Sequence, residues 1–290
     1  MKIFKKIMGV MLAMTIIGSL ANTFANPLPL SPGVKTIKNF LQTALTPVGS
    51  TMYIWGGGWD ETEDNPGDSS VNIGLLSDWK EFSEKQTSNY NFKDYCLPIA
   101  EDGRLLPKPE TIGYGLDCSG LIGWAVYNVM NTESGGQSFV CKARTMAKTF
   151  AEKYKFGEYK DFGLITDIAP GDIISICNEK RKSHVYIALG QCKDGSILII
   201  ESAPPGVQIR GTQNHEGNLQ SQAVALAEVY MSKYYPEWYK KFPNCVCFPD
   251  DYRNDSLMHW EISETSIIQD PDGYIKKSPE EILKDLYREN

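Results

Sequence analysis

The sequence predicts an α+β fold in which helices pack on a central antiparallel sheet. In the 290-residue chain, helical patterns of apolar residues come first, and four short β-rich runs then follow one another within residues 172–210. Turn residues such as Pro170-Gly171 and Lys193-Asp194-Gly195 bound these runs. Strands that follow one another through short turns, after a group of helices, are typical of an α+β domain with an antiparallel sheet.

Besides one short helix within residues 60–113, three helices are predicted before the strands. Apolar residues keep helical spacing over about residues 34–45, with Pro32 near the first turn. A buried helix is expected at residues 121–130, where the sequence is apolar and rich in small residues, and another at residues 143–154. A short β-like run at residues 51–55 leads into three consecutive glycines.

One further segment interrupts this pattern, and another follows it. Residues 60–113 are polar with few sustained apolar periods, which indicates an insertion that carries one short helix at residues 77–84. Another helix is predicted at residues 219–233, and its aromatic-rich continuation to residue 248 favours packing over ligand binding. We therefore expect residues 213–290 to form a C-terminal extension that packs on the same domain.

The N-terminus has the features of a secretory signal peptide. Lys2, Lys5 and Lys6 precede an apolar run of about 14 residues, and Thr23-Phe24-Ala25 supplies a cleavage site. The run is short for a membrane anchor. Residues 1–25 are therefore expected to be removed and residues 26–33 to form a leader, so that the protein contacts a membrane only before cleavage and works outside the cytoplasm.

The net charge and the number of cysteines exclude several classes of partner, scaffold and cofactor. The formal net charge is −7, which argues against a nucleic-acid partner or an anionic surface bound by bulk charge. Seven cysteines are too few for a disulfide scaffold of this length, and the odd number leaves at least one thiol free or paired to another molecule. Cys245 and Cys247 lack the spacing of a zinc knuckle, so we expect no metal and no other cofactor. The oligomeric state stays open.

Cys118 is the candidate nucleophile. Asp117-Cys118-Ser119-Gly120 leads from an extended segment into the buried helix, so the sulfur is expected in the first helical turn. The oriented N–H groups of a helix N-terminus lower the pKa of a thiol placed there. The same turn can direct backbone N–H groups at an oxyanion, with Asp117 and Ser119 acting through local hydrogen bonds.

A nucleophilic thiol also needs a base and a polar residue that holds the base. His184 begins a predicted strand, whereas His215 lies in a loop and His259 in a late strand, so His184 is the expected base. Glu201 ends the apolar run of the neighbouring strand and is expected to hold the imidazole. The alternatives for this third position are Ser202 and Gln208.

Four motifs follow one another along the chain. They are Tyr53-Ile54-Trp55-Gly56-Gly57, Asp117-Cys118-Ser119-Gly120, Ala169-Pro170-Gly171-Asp172 and Ser183-His184-Val185-Tyr186-Ile187-Ala188-Leu189-Gly190. In this order they resemble the NlpC/P60 cell-wall cysteine peptidases over approximately residues 34–212. The resemblance implies a papain-like α+β catalytic domain, here with a long insertion before the catalytic helix.

The resemblance also implies an activity, the hydrolysis of peptide stem bonds in bacterial peptidoglycan by a secreted or cell-wall associated enzyme. It makes Cys118 the nucleophile and His184 the base, and it places Tyr53 at the site to position the oxyanion or the substrate. The third residue of the family is usually histidine, asparagine or glutamine, so Glu201 is a departure. The insertion is a second departure, which we expect to set substrate choice or to act as a lid.

Two alternatives stay open at this point. The same cysteine and histidine suit an amidase, or an acyltransferase in which an amine replaces water, because all these reactions share an acyl-enzyme. A non-catalytic wall-binding relative would be favoured if Cys118 were tied in a disulfide, for example to Cys96 or Cys141.

Overall fold

The computed structural model describes residues 30–59, 72–101, 103–136, 138–161, 163, 165, 167–177, 183–247 and 255–289. The predicted signal peptide at residues 1–25 lies outside the described residues, as do residues 26–29 of the leader and residues 60–71 of the insertion. Within the described ranges, no helix combines the length and the apolar character needed to cross a bilayer.

Eight strands form one sheet in the order β2-β1-β7-β6-β5-β4-β8-β3. They are β1 (Met52–Tyr53), β2 (Gly115–Leu116), β3 (Gly157–Lys160), β4 (Ile173–Cys177), β5 (Ser183–Gln191), β6 (Ile197–Ala203), β7 (Gly206–Gly211) and β8 (Ser256–Trp260). Every neighbouring pair is antiparallel except β1 and β2. The α+β class with a central, largely antiparallel sheet is thus confirmed.

The four predicted strands correspond to β4, β5, β6 and β7. Their continuous apolar character has a structural cause, because the side chains of β6 alternate between two buried clusters. Leu198 and Ile200 pack in the main core on one face, whereas Ile197 and Ile199 pack in a smaller cluster on the other. The edge strand β3 was not predicted, since its polar, partly exposed residues carry no apolar run.

The helices are α1 (Ile37–Leu45), α2 (Ser77–Glu84), α3 (Cys118–Met130), α4 (Met146–Glu152), α5 (Gln222–Tyr234), α6 (Pro236–Lys241) and α7 (Pro279–Leu286). α2 has the predicted bounds. α1 starts later than predicted because Thr36 caps it, accepting a hydrogen bond from the Asn39 N–H. α4 is shorter than predicted because residues 143–145 form a 3₁₀ turn instead of helix.

Residues beyond 212 take part in the same sheet. β8 lies between β4 and β3 and pairs with both. The Gly211 N–H at the end of β7 donates to the Cys245 carbonyl at 2.9 Å. In the aromatic-rich stretch, Trp238 and Phe242 are buried and meet edge to face with ring centroids 5.0 Å apart. This stretch therefore contributes packing.

The described part of the insertion is fixed to α3. Trp79 of α2 is buried edge to face against Trp124 of α3, with ring centroids 6.0 Å apart. The Trp124 indole donates to the Gly74 carbonyl at 3.0 Å, and the Gly74 N–H donates to Asn128 Oδ1 at 2.7 Å. This segment is thus a packed element that rests on the helix bearing Cys118.

Candidate active site

Cys118 is the first residue of α3, and Asp117 caps the helix. Asp117 Oδ1 accepts hydrogen bonds from the Gly120 N–H at 2.7 Å and from the Ser119 hydroxyl at 2.8 Å. Burial raises the pKa of Asp117, although these two hydrogen bonds oppose the rise. Asp117 and Ser119 therefore shape the turn, and the Cys118 N–H, at the first helical position, has no acceptor inside the helix.

The glycine-rich segment after β1 packs directly on this turn. The Asp117 N–H donates to the Gly57 carbonyl at 2.9 Å. A Cβ atom at Gly120 would lie 2.0 Å from the same carbonyl oxygen, so any larger residue would push the two segments apart. The glycines of the first and second motifs thus bring β1 next to the Cys118 turn.

His184, near the start of β5, contacts both other members of the predicted triad. Its Nε2 lies 2.5 Å from Glu201 Oε2, and its ring is also hydrogen-bonded to Cys118. Since Nε2 is bonded to Glu201, Nδ1 is the nitrogen left for the thiol. Burial alone would lower the pKa of His184, but the hydrogen bonds and charges of Cys118 and Glu201 raise it to about 10.

These contacts favour a protonated imidazolium beside the thiol. Cys118 is a free thiol with 8 % of its surface exposed. Cys96, Cys141, Cys192 and Cys245 are free as well. The disulfide that would have favoured a non-catalytic protein is absent between Cys118 and these residues.

Glu201 lies in β6 with only 1 % of its surface exposed. Its Oε1 accepts a hydrogen bond from Arg210 Nη1 at 3.1 Å, and Cys247 Sγ lies 3.8 Å from Oε2. Burial would raise the pKa of Glu201, but the Arg210 charge and then the contact with His184 outweigh it and lower the pKa. Glu201 is thus an ionised carboxylate between two cations.

Arg210 was missed at the level of sequence. The pairing of β6 with β7 sets Ile199 opposite Arg210 and Glu201 opposite Gln208, so these four side chains share one face of the sheet. One signal was available in the sequence. Gln208 and Arg210 are two residues apart in a short strand, so their side chains lie on the same face, and this strand follows the Glu201 strand through a tight turn. Reading that signal requires the register of the hairpin.

The two alternatives for the third position are engaged elsewhere. The Ser202 hydroxyl donates to the Leu116 carbonyl at 2.7 Å, which ties β6 to β2 just before the nucleophile turn. Gln208 Oε1 accepts a hydrogen bond from Arg210 Nη2 at 2.8 Å. Of the three candidates, Glu201 is the one bonded to His184.

The other two histidines have their own surroundings. His215 packs on the turn between β5 and β6, where a Cβ atom at Gly195 would lie 2.0 Å from its ring. His259 in β8 has its Nδ1 2.9 Å from Asp172 Oδ1.

Tyr53 in β1 and the insertion form a wall beside Cys118. The Tyr53 ring meets Phe92 of the insertion edge to face at 5.3 Å, and its backbone carbonyl accepts a hydrogen bond from the Tyr90 hydroxyl. Burial, followed by the negative charges of Cys118 and Asp117, raises the pKa of Tyr53 well above its ordinary value. The phenol therefore stays protonated and can donate a hydrogen bond near the sulfur.

A cleft of about 360 Å³ adjoins this wall. It lies between the insertion, the turn from β6 to β7 and the segment after α6, and its lining includes Tyr90, Phe92, Pro204, Arg210 and Phe242. Among the described residues, no group of three or more histidine, cysteine, aspartate or glutamate side chains is arranged to hold a metal ion.

Comparisons of this chain with protein-family models, with curated proteins and with solved structures find no match.

Proposed function

We propose that this protein is an exported cysteine peptidase that hydrolyses the peptide stems of bacterial peptidoglycan. The observation that carries the proposal is the position of His184, which is bonded to the Cys118 thiol on one side and to the Glu201 carboxylate on the other. A thiol at a helix N-terminus, a histidine base and a residue that holds the base are the parts that nucleophilic catalysis by cysteine requires.

In the acylation step, the Cys118 thiolate attacks the carbonyl carbon of the scissile peptide bond. A C–S bond forms, and the carbonyl electron pair moves onto oxygen. The Cys118 N–H and the Tyr53 hydroxyl are the donors available to this oxyanion. The His184 imidazolium then gives its proton to the leaving nitrogen as the C–N bond breaks, which leaves a thioester and a neutral imidazole.

In the deacylation step, His184 takes a proton from a water molecule whose oxygen attacks the thioester carbon. A C–O bond forms, the C–S bond breaks, and the thiolate and imidazolium are restored together with a carboxylic acid product. Glu201 keeps the imidazole in one orientation through both steps, because its carboxylate is hydrogen-bonded to Nε2.

The substrate class is supported by sequence features rather than by the site chemistry. The four motifs occur in the order that the NlpC/P60 enzymes show, and the N-terminal pattern of a signal peptide would deliver the enzyme to the cell wall. The cleft lined by Tyr90, Phe92 and Arg210 provides a place for a more distant part of the stem peptide.

Mass spectrometry of muropeptides tests the proposal. Peptidoglycan incubated with the pure protein should release fragments with new peptide ends, which also identifies the bond that is cut. Cys118→Ala should yield no such fragments, whereas Cys192→Ala, a matched change at a half-buried cysteine on the turn after β5, should cleave like the wild type. Absence of cleavage by the wild type, or identical products from Cys118→Ala, would reject the proposal.

A further inference from the structure

The Glu201 carboxylate has a second charged partner, Arg210. Oε1 of Glu201 accepts from Arg210 Nη1 at 3.1 Å, while Oε2 contacts His184 Nε2 at 2.5 Å. The Arg210 side chain is only 7 % exposed. One buried anion is thus shared by two cations, one on each side.

The guanidinium of Arg210 is held in place from two directions. Its Nη2 donates to the Pro204 carbonyl at 2.9 Å and to Gln208 Oε1 at 2.8 Å. Gln208 in turn donates from Nε2 to the Phe242 carbonyl at 3.4 Å. Since an arginine stays protonated in proteins, these contacts fix a permanent positive charge beside Glu201.

This charge changes the balance of the site. The Cys118 thiolate and the His184 imidazolium cancel each other, as do Glu201 and Arg210. Without Arg210, two anions (Cys118 and Glu201) would face a single cation (His184). The thiolate would then compete with Glu201 for the same imidazolium. A buried carboxylate without a cation also tends to take up a proton, because desolvation disfavours its charged form.

We propose that Arg210 is a positioning residue of this site, which acts through Glu201 to keep the carboxylate ionised and the imidazole of His184 fixed while the Cys118 thiolate forms. The proposal depends on the cysteine chemistry proposed above, but not on the identity of the substrate. It also gives a reason why a glutamate serves at this position. Paired with Arg210, the carboxylate acts as a net neutral acceptor, much as an amide side chain would.

Other titratable groups face this pair from the segment after α6. Cys247 Sγ lies 3.8 Å from Glu201 Oε2. Cys245 is close enough to Arg210 to feel its charge, yet burial raises the pKa of this thiol to about 12, so it stays neutral over the range to be tested. The anion in direct contact with Arg210 is Glu201.

The test follows how fast iodoacetamide alkylates Cys118 as the pH changes, read by mass spectrometry of the peptide that contains Cys118. In Arg210→Met, alkylation of Cys118 at neutral pH should slow by ~10-fold or more, because Glu201 then competes with the thiolate for the imidazolium or takes up a proton. Arg210→Lys keeps the charge and should react like the wild type. The double change Glu201→Gln with Arg210→Met removes both charges, so its alkylation of Cys118 should return toward that of the wild type.

A folded Arg210→Met protein whose alkylation profile matches the wild type would overturn the proposal. So would equal slowing in Arg210→Met and Arg210→Lys, which would indicate a role in packing alone. If Arg210→Met does not fold, Arg210→Lys decides, since slowed alkylation of Cys118 in this variant contradicts the proposal and alkylation at the wild-type rate supports it. Alkylation needs no peptidoglycan, so slowed alkylation in Arg210→Met, together with a wild type that does not cleave muropeptides, would reject the proposed function and keep the role of Arg210.

Discussion

Two histidine–carboxylate pairs lie in the same sheet, and they have much in common. His184 Nε2 is 2.5 Å from Glu201 Oε2, and His259 Nδ1 is 2.9 Å from Asp172 Oδ1. Glu201 and Asp172 are equally buried, each with 1 % of its surface exposed. Contact with its carboxylate raises the pKa of each histidine. A histidine bonded to a buried acid is therefore not enough to mark an active site.

The difference lies in what adjoins each pair. The His184 ring is hydrogen-bonded to a thiol at a helix N-terminus, and Glu201 has Arg210 on its other side. Asp172 instead accepts from the Ala169 N–H at 2.8 Å, and burial raises its pKa although His259 opposes the rise. The first pair thus holds an ionised acid between two cations beside the Cys118 thiol, whereas the second is an ion pair between β8 (Ser256–Trp260) and the residue that precedes β4.

The largest expected contrast is in activity. His184→Ala should lower peptidoglycan cleavage by ~10⁴-fold or more, as the loss of a triad member does in other nucleophilic enzymes. His259→Ala should retain activity, because the groups that act on His259 in the described part of the chain are Asp172, Lys160 and Asp167, none of which is a thiol. Release of muropeptides over time measures both. Loss of cleavage in folded His259→Ala, with His184→Ala still active, would reverse the assignment.

The two acids should also differ in their contribution to stability. Glu201→Gln leaves the buried Arg210 guanidinium without its counter-ion and should lower the free energy of unfolding by about 3–5 kcal/mol. Asp172→Asn should cost about 1–3 kcal/mol, because the His259 side chain is 28 % exposed and can release its proton. Urea denaturation of both variants checks this order, and equal losses would contradict it.

Thiol reactivity tests the contrast without any substrate. At neutral pH, iodoacetamide should alkylate Cys118 at least ~10-fold faster than Cys141, Cys192 and Cys245, since a nearby positive charge favours a thiolate by this amount or more. Burial raises the pKa of Cys141 and Cys192 to about 11 and that of Cys245 to about 12. His184→Ala should remove the advantage of Cys118, and His259→Ala should leave it. Uniform labelling would mean that the thiol is not activated.

The smallest expected contrast is in the pH dependence of stability. The pKa of His184 rises from 6.5 to about 10 on folding, so its contribution is complete below pH 6.5 and is lost as the pH rises through 10. The pKa of Glu201 is lowered from 4.5, so its contribution is present above pH 4.5 and is lost as the pH falls through the lowered value.

The stability difference between the wild type and His184→Gln should therefore be greatest between pH 4.5 and 6.5 and shrink toward pH 10. His259→Gln is the matched control, because the pKa of His259 is also raised. Its stability difference should shrink at a lower pH, since the His259 side chain is more exposed than that of His184. Denaturation curves over this pH range give both differences. Identical pH dependence of the two stability differences would contradict the expected contrast between His184 and His259.

Several features follow from the sequence because their causes are local. Asp117 caps the helix that begins at Cys118, and a cap acts within three residues of its own position. The apolar runs of β4 to β7 predicted strands since both faces of each strand meet apolar neighbours. Local patterns also predicted the strand that begins near His184, the polar residue Glu201 at the end of an apolar run and the short helix α2 (Ser77–Glu84).

The tertiary structure decided the features that depend on distant segments. Arg210 meets Glu201 because of the register of two strands, and a shift of one residue would turn Arg210 to the other face of the sheet. The insertion rests on α3 (Cys118–Met130) through Trp79 and Trp124, 45 positions apart in a chain whose local patterns do not relate them. Periodicity and capping report neighbours along the chain, whereas the charge balance around His184 arises only where three strands and a helix end meet.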